Sequence, residues 1–83
     1  DGSASVVEAR DLAAAVSTAI DTVLTARQRR VAIALIVDEV PIDVLAERMG
    51  TNRNALYKAL HDIRVKLRSE MREQGYIHDE HRR

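Results

Sequence analysis

The stretch GTNRNALYKALHDIRVKL, residues 50–67, decides the fold of this chain. Its aliphatic residues recur at spacings of four, three and four, at Leu56, Leu60, Ile63 and Leu67. This period predicts a helix with one buried side. The side away from the leucines carries basic, amide and aromatic side chains, namely Arg53, Asn54, Tyr57, Lys58 and His61. Such a helix needs a hydrophobic core behind it, which the remaining chain must supply.

The composition indicates one small helical domain. The chain has 83 residues, of which 46% are hydrophobic and nearly all of those aliphatic. One proline and three glycines leave few breaks, which favours helices joined by short turns. The absence of cysteine excludes disulfides and thiolate metal sites and fits a reducing cytoplasm. No apolar run approaches the ~20 residues of a membrane span and no signal-peptide pattern opens the chain, so we expect a cytoplasmic protein without a membrane partner.

The charges are unevenly distributed, although the formal net charge is zero. Residues 1–24 contain one basic residue against four acidic ones, whereas residues 53–68 contain five basic residues against the single acid Asp62. A basic block of helical length in a neutral chain predicts a surface that attracts a negatively charged partner. A solvated helix face is the alternative that charge alone leaves open.

The first two helices are predicted from periodicity and capping. Aliphatic residues at helical spacing predict a first helix from about Ser5 to Val23, with residues 1–4 disordered or derived from cloning. Thr25 and Gln28 are spaced as a capping box that begins the second helix. The run VAIALIV, residues 31–37, is apolar on all sides, which predicts the central and most buried helix.

The third helix is predicted to be short and the fourth to be long. Pro41 suits the first turn of the third helix, because its missing N–H would be unpaired there. Gly50 stands where a helix needs a left-handed residue after its end, and Asn52 follows as the expected N-cap of the fourth helix. We expect the fourth helix to extend to Arg72 or Glu73, followed by a C-terminal tail over residues 74–83.

These elements predict an all-α, four-helix domain over residues 5–73 that contains a helix-turn-helix. Ala46 is small at the predicted crossing of the third and fourth helices, and Leu56 and Leu60 would fix the crossing angle. That angle would point the N-terminal half of the fourth helix outward, toward a DNA major groove wide enough to admit it.

Residues 24–68 resemble region 4, the promoter −35-binding domain, of bacterial sigma factors, and the extracytoplasmic-function group in particular. That family typically has Leu-Pro-x-x-Gln-Arg, an apolar helix, Glu-x-Ile-Ala-x-x-Leu-Gly, and a helix ending in Leu-His-x-x-Arg-x-x-Leu. The residues of this chain that match are Leu24, Gln28, Arg29, Asp43, Leu45, Ala46, Met49, Gly50, Leu60, His61, Arg64 and Leu67. The departures from the pattern are Pro41, Val44, Tyr57, Ala59 and Val65.

The resemblance implies a role in transcription initiation, with double-stranded DNA at the promoter −35 element as the main partner. It implies base contacts from Arg53, Asn54, Tyr57 and Lys58. Phosphate contacts are expected from Arg29, Arg30, Asn52, His61 and Arg64. The family also implies docking on the RNA polymerase core through the β-subunit flap, and an anti-sigma factor as a further partner. Amides suit adenine edges and guanidinium groups suit guanine.

Several alternatives stay open at this point. One of the arginines at the start of the second helix is expected to pair with Asp38 or Glu47, while another meets phosphate. His61 is either a DNA contact or a solvent-facing or packed histidine.

The chain has no cysteine, Gly-rich phosphate loop or room for a catalytic cleft, so we expect no enzyme, cofactor or small-molecule substrate. His78 and His81 are expected to form a polar terminus and not a metal site. The alternative functions are a protein-docking helical module, such as an anti-sigma-binding surface, and a helix-turn-helix domain of another regulator.

Overall fold

The computed structural model describes the backbone of residues 2–77 and the side chains of residues 10–77, and over these residues the chain is all helical. The elements are α1 (Gly2–Thr22), α2 (Ala26–Ala32), which continues as a π-helical segment (Ile33–Val37), α3 (Ile42–Arg48) and α4 (Arg53–Glu73). The predicted all-α class with four helices is confirmed. α1 begins at Gly2, three residues before the expected start at Ser5. The two histidines of the C-terminal segment, His78 and His81, lie outside the described residues.

The start of α2 is fixed by its cap, as predicted. The Thr25 hydroxyl accepts a hydrogen bond from the Gln28 N–H at 3.1 Å, and Gln28 Oε1 accepts one from the Thr25 N–H at 3.0 Å. This capping box satisfies two backbone donors that a helix start leaves unpaired. The continuation as a π-helix was not predicted. There the N–H of Asp38 bonds to the carbonyl of Ile33, five residues back, at 2.8 Å.

The expectation that residues 31–37 form the most buried helix is wrong for its second half. Val31 and Ala32 are fully buried, but Ile33, Ile36 and Val37 are exposed, Val37 by 61%. A domain of this size buries only a limited share of its surface. A helix that is apolar on all sides can therefore still have one side in contact with solvent. The π-helical segment therefore presents aliphatic side chains at the surface.

The turn between α3 and α4 follows from its residues. Pro41 is the N-cap of α3 and has extended backbone, one position before the predicted first turn. After α3, Gly50 has φ +66° and donates to the carbonyl of Glu47, while the N–H of Thr51 bonds to the carbonyl of Ala46 at 2.9 Å. These bonds form a Schellman motif, which satisfies the last carbonyls of the helix.

α4 is capped at both ends. The Asn52 side chain accepts a hydrogen bond from the Ala55 N–H at 2.9 Å, so the predicted N-cap is confirmed. A second Schellman motif closes α4 at Gly75, where the N–H of Tyr76 bonds to the carbonyl of Met71 at 2.9 Å. The first residues of the expected tail therefore belong to the end of this helix.

The core lies between α4 and the other three helices. Its buried members are Ile20, Leu24, Val31, Ala32, Leu45, Ala46, Leu56 and Ile63. Leu56 and Ile63 are 0% exposed, whereas Leu60 and Leu67, which belong to the same series of aliphatic residues on α4, are half-buried. These aliphatic residues therefore fix which side of α4 faces the core, and with it which side faces solvent.

None of the helices in the described part of the chain has the length and apolar character needed to cross a bilayer.

Gly50→Ala is expected to lower the free energy of unfolding by about 1–2 kcal/mol, because an L residue is disfavoured in the left-handed region. A Cβ at this position would meet no atom within 4 Å, so the loss would come from the backbone and not from a clash. Urea denaturation followed by circular dichroism measures it. Gly50→Asn is the matched control and should lose less, since asparagine tolerates this conformation. Equal losses for both variants would contradict the turn geometry described here.

Candidate nucleic-acid interface

The exposed side of α4 gathers the side chains that the sequence singled out. We call Arg53, Asn54, Tyr57, Lys58 and His61 the α4 face. All five are exposed, and their spacing puts them on one side of the first two and a half turns. Leu56 lies behind them and is completely buried. A helix face of this kind offers donors, acceptors and an aromatic ring to a partner without disturbing the core.

Arg53, the first residue of α4, is paired across the turn with Asp43 in the first turn of α3. Arg53 Nε donates to Asp43 Oδ1 at 2.9 Å and Nη2 donates to Oδ2 at 2.6 Å. The two side chains remain 55% and 67% exposed. The pair thus holds the guanidinium at two points while leaving it open to solvent. No pattern in the sequence predicted this contact.

The charges of this pair reinforce each other. The hydrogen bond from Arg53 holds the pKa of the Asp43 carboxyl below its ordinary value of 3.8, and the same contact raises the pKa of Arg53. Because the folded-state pKa of Asp43 is depressed, its contribution to folding is present above the unfolded pKa and is lost as pH falls through the folded one. At neutral pH the pair is therefore ionised.

The candidate phosphate contacts differ in how accessible they are. Arg30, His61 and Arg64 are exposed. Asn52 is exposed too, but its side-chain oxygen caps α4, which leaves its amide nitrogen as the donor for a phosphate. Within residues 10–77, no ion pair joins Arg27, Arg29 or Arg30 to Asp38 or Glu47, so the pairing expected at the start of α2 is not observed.

Arg29 has a structural role that the sequence analysis missed. Its guanidinium donates to the carbonyl of Ile20 at 3.3 Å, to that of Asp21 at 3.1 Å and to that of Leu24 at 3.4 Å. These carbonyls lie at the end of α1 and in the following turn, where a cation is favourable. A phosphate contact would compete with all three bonds, and Arg29 is therefore left out of the interface proposed below.

A second unforeseen contact ties α4 to the start of α2. Lys66 Nζ donates to Gln28 Oε1 at 2.9 Å, the oxygen that also accepts from the Thr25 N–H. The Gln28 carboxamide oxygen thus takes part both in the N-terminal cap of α2 and in the contact between α2 and α4. Lys66 is half-buried, so this lysine serves the packing of α4 more than its exposed surface.

A separate surface is aliphatic. Ile33, Ile36 and Val37 of the π-helical segment are exposed, and we call them the aliphatic patch. Next to it lies an open groove of about 280 Å³, lined by Arg30, Ile33, Ala34, Asp38, Leu45 and Met49. Val44 and Val65, two positions that depart from the family pattern, are also exposed, by 38% and 54%.

No family model, curated protein or solved structure matches the chain.

Proposed function

We propose that this chain is a DNA-binding domain that recognises the promoter −35 element as part of a bacterial sigma factor of the extracytoplasmic-function group. In this proposal α3, the turn at Gly50 and α4 act as a helix-turn-helix, and the α4 face enters the major groove. Its function is binding and not catalysis. It acts in the cytoplasm, where it directs RNA polymerase to promoters.

The observation that supports the proposal best is the contrast between the two sides of α4. The α4 face consists of exposed polar, basic and aromatic side chains, whereas Leu56 behind it is fully buried. Arg53 and Asn54 supply the groups that suit guanine and adenine edges. Lys58 adds a positive charge near the same end of the helix, where phosphates flank the groove. The sequence resemblance over residues 24–68 supports the same assignment independently of these exposures.

The affinity of such a domain alone is expected to be low. The proposed phosphate contacts are few, and each contributes mainly through release of counterions from DNA. In the intact sigma factor, tethering to RNA polymerase through the β-subunit flap would raise the effective concentration of the domain at the promoter. An anti-sigma factor that covers the α4 face would prevent this binding.

Fluorescence anisotropy tests the proposal with labelled duplexes, one random and several carrying candidate −35 elements, titrated at two salt concentrations. We expect one element to bind more tightly than the random duplex, and the affinity for every duplex to fall as salt rises. Absence of binding to any duplex at low salt and high protein concentration would contradict the proposal.

The aliphatic patch supports a second function, a protein-docking module. Exposed aliphatic side chains beside a groove are typical of surfaces that bind other proteins. The two functions use different surfaces, so a charge reversal at Lys58 separates them. DNA binding requires the positive charge of Lys58, whereas docking at the aliphatic patch does not.

A further inference from the structure

The geometry of the Arg53–Asp43 pair leaves one edge of the guanidinium unused. A guanidinium has five N–H donors, one on Nε and two on each terminal nitrogen. Asp43 takes the edge formed by Nε and Nη2, at 2.9 and 2.6 Å. Within the described residues, no acceptor is recorded for Nη1. The edge formed by Nη1 and the second hydrogen of Nη2 is therefore the one available to a ligand.

That remaining edge carries two parallel N–H groups, the arrangement that pairs with O6 and N7 of guanine in the major groove. A guanidinium held at two points has less freedom to rotate, so less conformational freedom is lost when it binds a base. Asp43 comes from α3 and Arg53 from the start of α4, so the turn at Gly50 also sets the position of this edge. The pKa values of the two groups are shifted in the directions that favour the ionised pair.

We infer that Asp43 is a positioning and specificity-determining residue, which fixes Arg53 so that the DNA position facing the start of α4 must be a guanine. This inference rests on the proposed function. Asp43 has two effects of opposite sign on binding. Its carboxylate repels phosphates and weakens binding to every sequence, while its hold on Arg53 strengthens the preference for guanine at one position.

The test compares the full chain with Asp43→Asn and with Glu47→Gln by anisotropy, on the preferred duplex and its complete set of single-base substitutions. Asparagine keeps the shape of Asp43 but removes its charge and one acceptor. Glu47 is the matched control, because it is an exposed acid on the same helix that makes no ion pair within the described residues. Circular dichroism of both variants verifies that the helices are retained.

We expect Asp43→Asn to reduce the preference for guanine at one position by at least about fivefold, the lower end of what a bidentate base contact contributes. Binding to a random duplex should stay the same or become tighter. Glu47→Gln should leave the guanine preference unchanged. Arg53→Lys, which cannot pair bidentately, should lose the same preference. The double variant Asp43→Asn/Arg53→Lys should lose no more than Arg53→Lys alone.

Two results would overturn the inference. If Asp43→Asn and Glu47→Gln tighten binding to all duplexes alike and the base preferences stay intact, Asp43 acts only as a negative charge. In that case the proposed function stands and only this inference fails. If the wild-type chain binds no duplex, both the proposed function and this inference fail.

Discussion

Leu56→Ala is expected to lower the free energy of unfolding by about 2–5 kcal/mol. Leu56 is 0% exposed and belongs to the core that joins α4 to the other helices. Alanine would leave a cavity that the surrounding side chains fill only in part. Small domains are stable by only about 5–15 kcal/mol, so a substantial fraction of the variant should be unfolded under mild denaturing conditions.

Urea denaturation followed by far-ultraviolet circular dichroism measures this effect, and Val65→Ala is its control. Val65 lies on the same helix but is 54% exposed. Its truncation should change the free energy of unfolding by no more than about 0.5 kcal/mol. If Leu56→Ala and Val65→Ala were equally stable, α4 would not pack in the orientation that presents the α4 face to solvent.

Lys58→Glu is expected to weaken binding to the preferred duplex by at least about tenfold. The substitution removes one positive charge from the α4 face and adds a negative one beside the DNA. Removing a positive charge beside the DNA reduces the release of counterions on binding and makes the fall of log affinity with log salt shallower, so the wild type and the variant should differ most at low salt. Anisotropy at several salt concentrations measures both the affinity and the slope.

Arg68→Glu is the matched control for this charge reversal. Arg68 is also basic and exposed on α4, but it lies ten residues further along, which is about 15 Å in a helix. Both variants change the net charge of the chain by the same amount, so a general loss of electrostatic attraction affects both. A position-specific role predicts a clearly larger loss for Lys58→Glu. Equal losses would indicate that the whole basic side of α4 attracts DNA without insertion of its N-terminal end.

Much of the fold could be predicted because its determinants are local. The cap at Thr25, the left-handed Gly50 and the N-cap Asn52 each depend on residues within a few positions along the chain, and all three are confirmed. The inward side of α4 was predictable for a similar reason, since apolar residues at helical period mark the buried side. The DNA contacts assigned to that helix remain predictions.

Other features depend on how the helices meet, which a linear sequence does not display. The residues of the run at 31–37 are uniformly apolar, so periodicity could not tell its covered side from its exposed one. The π-helical hydrogen bonds of this segment carry no sequence signal that we recognised. Arg29 and Arg53 were both assigned to DNA, but their partners lie across a turn on another helix, at Ile20 and Asp43. An arginine that closes a helix end and one that meets phosphate have the same sequence signature.

Nuclear magnetic resonance of the isotopically labelled chain, titrated with the duplex that binds most tightly in anisotropy, tests the central proposal most directly. If α4 enters the major groove, the largest changes in backbone amide chemical shift should fall within residues 52–61, with small changes in the π-helical segment. The opposite pattern, with the largest changes at residues 33–37 and little change at the α4 face, would contradict DNA recognition by α4.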